Sequence, residues 1–168
     1  MQNNKVLKDV RYALKLRNKK MEKIFKLGSI EITEDEVEKL LSREKTREFM
    51  NCNNKYLHGF LNGLIIYYRG GSEENAKKIS KFVKISKTNA NNLVLKKLKV
   101  ALSLKAEDIS TIFKMGDIEV TNSEISGMLR GESSKIYRTC GDKYLRKFLR
   151  GLIAYKRGNV QTEKQVQV

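Results

Sequence analysis

The feature that most constrains this sequence is an internal duplication. Residues 3–70 align with residues 91–158 at a constant offset and without a gap, and 30 of the 68 aligned pairs are identical. Two copies are too few for an extended solenoid, so we predict two modules packed on each other with approximate two-fold symmetry. The predicted division is module one at 3–70, a linker at 71–90, module two at 91–158 and a tail at 159–168.

Apolar residues in each module recur at the spacing of an α-helix. A pattern of i, i+1, i+4 and i+8 begins at Val6 in module one and at Val94 in module two, which indicates a first helix. A shorter second helix is predicted to end at Gly28 or Gly116 in a left-handed cap. The chain has no proline and no strand-like alternation of useful length. The predicted fold class is all-α, with two tandem repeats of a four-helix module.

The third helix of each module begins with a capping box. Thr33 precedes Glu36 by three residues, and Thr121 precedes Glu124 in the same way. In this motif the threonine hydroxyl and the glutamate carboxylate each accept a hydrogen bond from a backbone amide at the helix start. Both modules are therefore predicted to start a helix at this point.

A long fourth helix is predicted over residues 54–69 and 142–157. Gly70 and Gly158 follow these segments, and glycine commonly ends a helix. Within the linker, residues 76–85 carry apolar side chains at helical spacing, which predicts a further short helix there.

Glycine also recurs inside the fourth helix, at Gly63 and Gly151. At such a position glycine costs roughly 0.5–1 kcal/mol relative to alanine. The same unfavourable residue in both copies predicts that the backbone of another helix approaches closely.

Three blocks occur in the same order in both modules, and they resemble one family. The blocks are Asn-Asn-x-Val-Leu-Lys, Phe-x-x-Gly-x-Ile-Glu-x-Thr-x-x-Glu and Cys-x-x-Lys-Tyr-Leu-x-x-Phe-Leu-x-Gly-Leu. In these the chain is similar to the YehS-like family of uncharacterised bacterial proteins. The resemblance implies a bacterial protein with a duplicated domain of unknown function, and it brings no catalytic residues or activity.

The chain is strongly basic, with 35 Lys and Arg against 19 Asp and Glu and a formal net charge of +16. Such a charge favours anionic partners, because long-range attraction raises the rate of encounter. The alternative is compositional, since an AT-rich genome also enriches Lys and Asn on any solvated surface.

Binding to the phosphates of nucleic acid is the leading functional hypothesis. Four basic residues follow i, i+3, i+4 and i+7 on the fourth helix of module two and form one stripe. An ordinary solvated helix face is the alternative for this stripe. The candidate nucleic-acid-binding residues are Lys143, Arg146, Lys147 and Arg150, together with Lys96 and Lys99 on the first helix of module two.

The competing hypothesis is a protein-interaction or self-association scaffold without nucleic-acid contact. Aromatic residues at helical spacing could form its surface, although tyrosines in this pattern are more often the edge of a core. A membrane-surface role is not expected, because the basic helices need their apolar faces for the core. The tyrosines concerned are Tyr56, Tyr67, Tyr68, Tyr144 and Tyr155.

The residues do not predict an enzyme, a cofactor or a metal site. The only histidine, His58, has Arg146 at its equivalent position and is interpreted as a solvated helical residue. Cys52 and Cys140 are interpreted as small buried side chains at the start of the fourth helix. Two cysteines and no apolar run long enough to span a bilayer favour a cytoplasmic protein.

Overall fold

A computed structural model describes residues 1–71 and 84–165, with side chains described as far as residue 158. Within these residues the chain forms eight α-helices and no strand, which confirms the all-α prediction. Module one contains α1 (Asn3–Leu14), α2 (Asn18–Leu27), α3 (Glu34–Leu41) and α4 (Asn54–Arg69), and module two contains α5 (Ala90–Ala101), α6 (Ala106–Met115), α7 (Asn122–Leu129) and α8 (Asp142–Gln165).

The capping boxes lie where they are predicted. Thr33 Oγ1 accepts from the Glu36 amide at 3.2 Å, and Glu36 Oε2 accepts from the Thr33 amide at 2.9 Å. Thr121 and Glu124 make the same two bonds at the same distances. These bonds satisfy amides that the helix itself leaves without acceptors, so α3 and α7 start at a position fixed by sequence.

Within each module the main contact joins the second and fourth helices. α2 packs on α4, and α6 packs on α8. The ring centroids of Phe25 and Phe60 lie 5.0 Å apart, and those of Phe113 and Phe148 lie 5.3 Å apart. All four rings are fully buried, so each module carries one aromatic pair at its centre.

Each first helix packs mainly on the fourth helix of the other module. α1 lies along α8, and α5 lies along α4. Arg157 donates to the Tyr12 carbonyl at 3.0 Å, and Arg69 donates to Ser103 Oγ at 2.7 Å. This reciprocal pairing is the pattern that two-fold symmetry requires. The result is one hydrophobic core shared by both modules.

A buried asparagine ties each first helix to the loop that precedes the fourth. Asn4 Nδ2 donates to the carbonyls of Leu40 and Met50 at 2.8 and 2.9 Å, and its Oδ1 accepts from the Cys52 amide at 2.9 Å. Asn92 makes three equivalent bonds at 2.8–2.9 Å in module two. Because a buried amide without partners is costly, this clasp explains why asparagine and its loop recur together.

The glycines inside the fourth helices lie against the backbone of the second. A Cβ built on Gly63 would lie 1.8 Å from the Ile24 carbonyl oxygen, and one on Gly151 would lie 1.8 Å from that of Ile112. No side chain can occupy such a position. The predicted close approach of another helix is therefore confirmed in both modules.

The left-handed caps predicted at Gly28 and Gly116 are wrong. Their φ angles are −83° and −87°, and the left-handed residues are the next ones, Ser29 and Asp117. A Cβ on Gly28 would lie 1.8 Å from the Gly59 carbonyl oxygen. These glycines are therefore required by helix contact and not by their own backbone conformation.

The fourth helices end differently from each other. α4 ends at Gly70, where φ is +74°, as predicted. α8 continues to Gln165, so the predicted end at Gly158 is wrong. The helix predicted at 76–85 lies largely outside the described residues.

Candidate functional site

The two thiols have the properties of packing groups. Cys52 and Cys140 are both buried, and they form no disulfide with each other. The predicted burial of these thiols near the start of the fourth helix is therefore confirmed. Burial raises the pKa of each thiol to about 12, and a thiol in this state is a poor nucleophile. The described part of the chain also holds no group of three or more His, Cys, Asp or Glu side chains suited to a metal ion.

The predicted basic stripe lies on α8. Lys143, Arg146 and Arg150 are exposed, and Lys147 is half-buried. Arg150 forms a salt bridge with Asp117 at 3.0 Å, so one of the four charges is already partly compensated. The stripe therefore exists as a surface of three exposed cations on one helix.

Lys96 and Lys99 lie apart from that stripe. Both are half-buried on α5, which packs along α4, whereas the stripe is on α8, which packs along α1. Lys96 lines a cavity between α4 and α5. The six predicted residues therefore lie on two different helices. Each of these helices takes part in a different contact between the modules.

A basic groove that the sequence analysis missed lies between the end of α1 and the start of α2. It has a volume of about 550 Å³. Its cations are exposed, and none of them forms a salt bridge with a described residue. Lys20 Nζ lies 5.8 Å from the centroid of the Tyr67 ring. The groove is lined by Lys15, Arg17, Lys19, Lys20, Lys23 and Tyr67.

Module two does not repeat the basic lining of this groove. At the positions equivalent to Lys19 and Lys20, module two has Glu107 and Asp108. There the Tyr155 hydroxyl donates to Asp108 Oδ1 at 3.3 Å, whereas its equivalent Tyr67 lies beside a lysine. The sequence feature that predicts this groove is the run Arg-Asn-Lys-Lys at 17–20. Comparing the charge of each residue with that of its equivalent in module two identifies this run.

A cavity of about 590 Å³ lies between α4 of module one and α5 of module two. His58 and Asn62, one turn apart on α4, line it from one side, and Lys97 on α5 lines it from the other. Lys97 Nζ lies 3.2 Å from His58 Nδ1. His58 Nε2 and Asn62 Oδ1 are buried and have no hydrogen-bond partner among the described residues.

The interpretation of His58 as a solvated residue is wrong, because its side chain is only 4% exposed. The neighbouring α5 covers this part of α4. Burial, and then the positive charge of Lys97, lower the pKa of His58 to about 3. Burial also lowers the pKa of Lys97 to about 8. The imidazole is therefore neutral at pH 7, and the ammonium is mostly charged.

His58 should make the protein less stable in acid. Its pKa is about 3 when folded and about 6.5 when unfolded, so the unfolded chain takes up the proton first. The contribution of His58 is then fully present above pH 6.5 and is lost as pH falls towards 3, at up to about 1.4 kcal/mol per pH unit. Urea unfolding of the parent and of His58→Gln from pH 7 to pH 4 measures this. The variant should lose stability less steeply, and equal slopes would contradict the buried neutral state.

Among the described residues no helix is both long and apolar enough to cross a membrane. A model of a family described as "Protein of unknown function (DUF1456)" matches residues 3–70 and 91–158. The chain is also 40% identical, over 154 residues, to the "Uncharacterized protein YehS" of Escherichia coli (strain K12), which covers 92% of this chain and 96% of that protein. No solved structure matches. The chain therefore belongs to the DUF1456 family of unknown function, whose domain it carries twice.

Proposed function

We propose that this protein acts by binding, without catalysis, and that its partner is the phosphate backbone of nucleic acid in the cytoplasm. The observation that carries the proposal is the basic groove of module one, with five exposed cations around one tyrosine. Nucleic acid is the polyanion that such a row of charges fits best, because each neutralised phosphate releases condensed counterions.

The start of α2 adds to the attraction of the groove. Arg17 occupies the cap position of α2, and no described side chain caps that helix end. The first amides of a helix and its dipole favour an anion there. The Tyr67 ring offers a face on which a base of a single strand could stack. Cations, free amides and an aromatic ring in one groove favour a nucleic-acid strand over a small anion.

The stripe on α8 is the second part of the proposed surface. Lys143, Arg146 and Arg150 are exposed on the same helix whose Lys156 lies beside Lys15 in a smaller groove. Six positions separate Arg150 from Lys156, about 240° around an α-helix, so the stripe and the groove face different sides of α8 and contact nucleic acid as separate surfaces. Lys96 and Lys99 contribute less to this surface, because both are half-buried and lie on α5, away from the stripe.

The tyrosines favour this proposal over an interaction scaffold. Four of the five, Tyr56, Tyr67, Tyr144 and Tyr155, pack against the core, and Tyr68 is 45% exposed. Most of the ring surface of these four tyrosines is therefore used within the chain, and Tyr67 keeps one side open to the basic groove.

Titration of labelled DNA and RNA at 50 and 200 mM salt tests the binding. If three to five phosphates are neutralised, the affinity for a duplex should fall roughly 40- to 500-fold between the two salt concentrations. An affinity that does not change with salt would contradict a phosphate mechanism. No binding at 50 mM would remove the proposal and favour the scaffold.

A variant that replaces three groove lysines by the equivalent residues of module two tests whether the groove is the binding site. Lys19→Glu, Lys20→Asp and Lys23→Thr copy the equivalents Glu107, Asp108 and Thr111. Affinity at 50 mM salt should fall at least about tenfold, and the salt slope should decrease by about 2 to 3.

The matched control makes the same change of charge at three exposed lysines outside the groove, Lys45→Glu, Lys114→Asp and Lys135→Thr. It should bind at least several times more tightly than the groove variant. Equal losses in the two variants would mean that overall charge, and not the groove, determines binding.

A further inference from the structure

We propose that the cavity between α4 and α5 binds a small organic carboxylate with an apolar body. The site lies where the two modules meet, and it uses none of the residues of the basic groove. Its volume of about 590 Å³ falls in the range of pockets that hold small molecules.

The charges around the cavity favour an anion. Lys55, Lys96 and Lys97 line it, and none of the described residues that line it is acidic. Lys97 is half-buried and has the neutral His58 as its polar neighbour. A charged group taken out of water needs an opposite charge to offset the loss of hydration. A carboxylate beside Lys97 supplies that charge.

The hydrogen-bonding groups determine how the ligand would be held. An ammonium group can only donate, so His58 Nδ1 accepts from Lys97 and the proton of the neutral ring lies on Nε2. That N–H is buried, and the described residues offer it no acceptor. The two ring nitrogens face opposite sides of the imidazole, so the carboxylate accepts from Lys97, and the neutral ring holds that ammonium in place through Nδ1. Asn62 Oδ1 is likewise buried without a described partner.

Apolar side chains make up much of the remaining lining. Ile30, Ile65 and Leu93 are buried, and Val100 stands at the exposed rim. These groups contact hydrocarbon favourably and offer nothing to a compact polar anion such as phosphate. The ligand therefore combines one charged end with an aliphatic or aromatic body.

Module two does not repeat the site. The equivalents of His58 and Asn62 are Arg146 and Arg150, which are exposed. The equivalent of Lys97 is Asp9, which already forms an ion pair with Lys5. The polar groups of the cavity thus occur in only one of the two symmetric contacts between a first and a fourth helix. Residues needed to hold the modules together would occur in both contacts, so this difference favours a ligand site.

The single histidine of the chain provides a direct measurement. The ring nitrogens of ¹⁵N-labelled protein should show the neutral tautomer with hydrogen on Nε2 at pH 7. Titration with octanoate or phenylacetate should shift the His58 signals in a saturable manner, and octan-1-ol and inorganic phosphate should shift them at least about tenfold more weakly. His58 signals unaffected by both carboxylates would overturn the proposal. Equal shifts with octan-1-ol would show an apolar site without a role for charge, which also overturns it.

Two variants and a control confine the effect to the cavity. Lys97→Met removes the ammonium and should weaken octanoate binding roughly tenfold to hundredfold. Lys99→Met on the same helix, outside the lining, should bind as the parent does. Val100→Trp at the rim should block entry and leave the fold intact, because this residue is 44% exposed. Parent-like binding by both cavity variants would contradict the assignment.

The pH dependence is a further readout. Octanoate affinity should fall between pH 7 and pH 10, because Lys97, with a pKa of about 8, loses its charge in that range, whereas His58 is already neutral. The other charged groups that face the cavity are Lys55 and Lys96. Lys97→Met should reduce this fall. Nucleic-acid affinity can be measured on the same variants, so failure of the carboxylate site is distinguishable from failure of the basic groove.

Discussion

Gly151→Ala should destabilise the protein by at least about 3 kcal/mol, the largest effect expected for so small a change. The added Cβ would lie 1.8 Å from the Ile112 carbonyl oxygen, and the neighbouring Gly116 amide is 2.9 Å away. Both contacts are with backbone, which cannot rotate away as a side chain can. α6 and α8 would have to separate and expose the core around Phe113 and Phe148. Urea unfolding followed by circular dichroism measures the loss.

Gly158→Ala in the same helix is the control. Nothing lies within 4 Å of the Cβ that would be added there, and alanine is favoured over glycine in a helix by up to about 1 kcal/mol. This variant should be as stable as the parent or slightly more stable. If Gly151→Ala were also as stable as the parent, the close contact between α6 and α8 would be wrong.

Asn4→Asp should cost about 3–5 kcal/mol, although the two side chains have the same shape. Asn4 Nδ2 donates to the Leu40 and Met50 carbonyls at 2.8 and 2.9 Å. An aspartate oxygen at that position would face two carbonyl oxygens and leave both without a donor. Burying a charge in place of a neutral amide adds to the loss. The free energy of unfolding in urea at pH 7 measures the effect.

Asn3→Asp, one residue earlier, is the matched control. Asn3 Nδ2 donates to Asn54 Oδ1 at 2.9 Å in an exposed position, where water can replace the lost bond. Its cost should stay below about 1 kcal/mol. Similar losses at Asn3 and Asn4 would mean that charge at the start of α1, and not the buried clasp, determines the result. Asn92→Asp should behave as Asn4→Asp does, because its three bonds are equivalent.

Features that depend on neighbouring residues could be predicted from sequence. The capping boxes need only residues three apart, and the helices follow from apolar spacing. Gly63 and Gly151 could be interpreted correctly because the duplication gives the same unfavourable residue twice. The sequence was ambiguous where a glycine can be required either by its own backbone conformation or by a close helix contact. Gly28 looked like a cap, but it is required by the backbone of α4, and the left-handed residue is Ser29.

The ends of the fourth helices show the same ambiguity. Gly70 and Gly158 occupy equivalent positions, but only Gly70 ends its helix. It is followed by Gly71, and both have positive φ, whereas Gly158 is followed by residues that can continue a helix. One glycine in a helical pattern is therefore insufficient to fix an end, and the residue after it decides.

The cavity could not be predicted because it depends on contacts between the modules. His58 has the sequence surroundings of an exposed helix position, and only the packing of α5 on α4 buries it. Nothing in the sequence states that a first helix packs on the fourth helix of the other copy. The basic groove could have been found, because Lys19 and Lys20 stand against Glu107 and Asp108 in the alignment.

The two copies share an architecture of clasps, caps and close helix contacts, and binding is assigned to the surfaces in which they differ. The most direct test is the dissociation constant of Lys19→Glu, Lys20→Asp, Lys23→Thr for labelled DNA and RNA at 50 mM salt, measured beside its free energy of unfolding. We predict an affinity at least about tenfold weaker with stability within about 1 kcal/mol of the parent. Parent-like affinity in this stable variant would contradict the assignment of binding to the groove of module one.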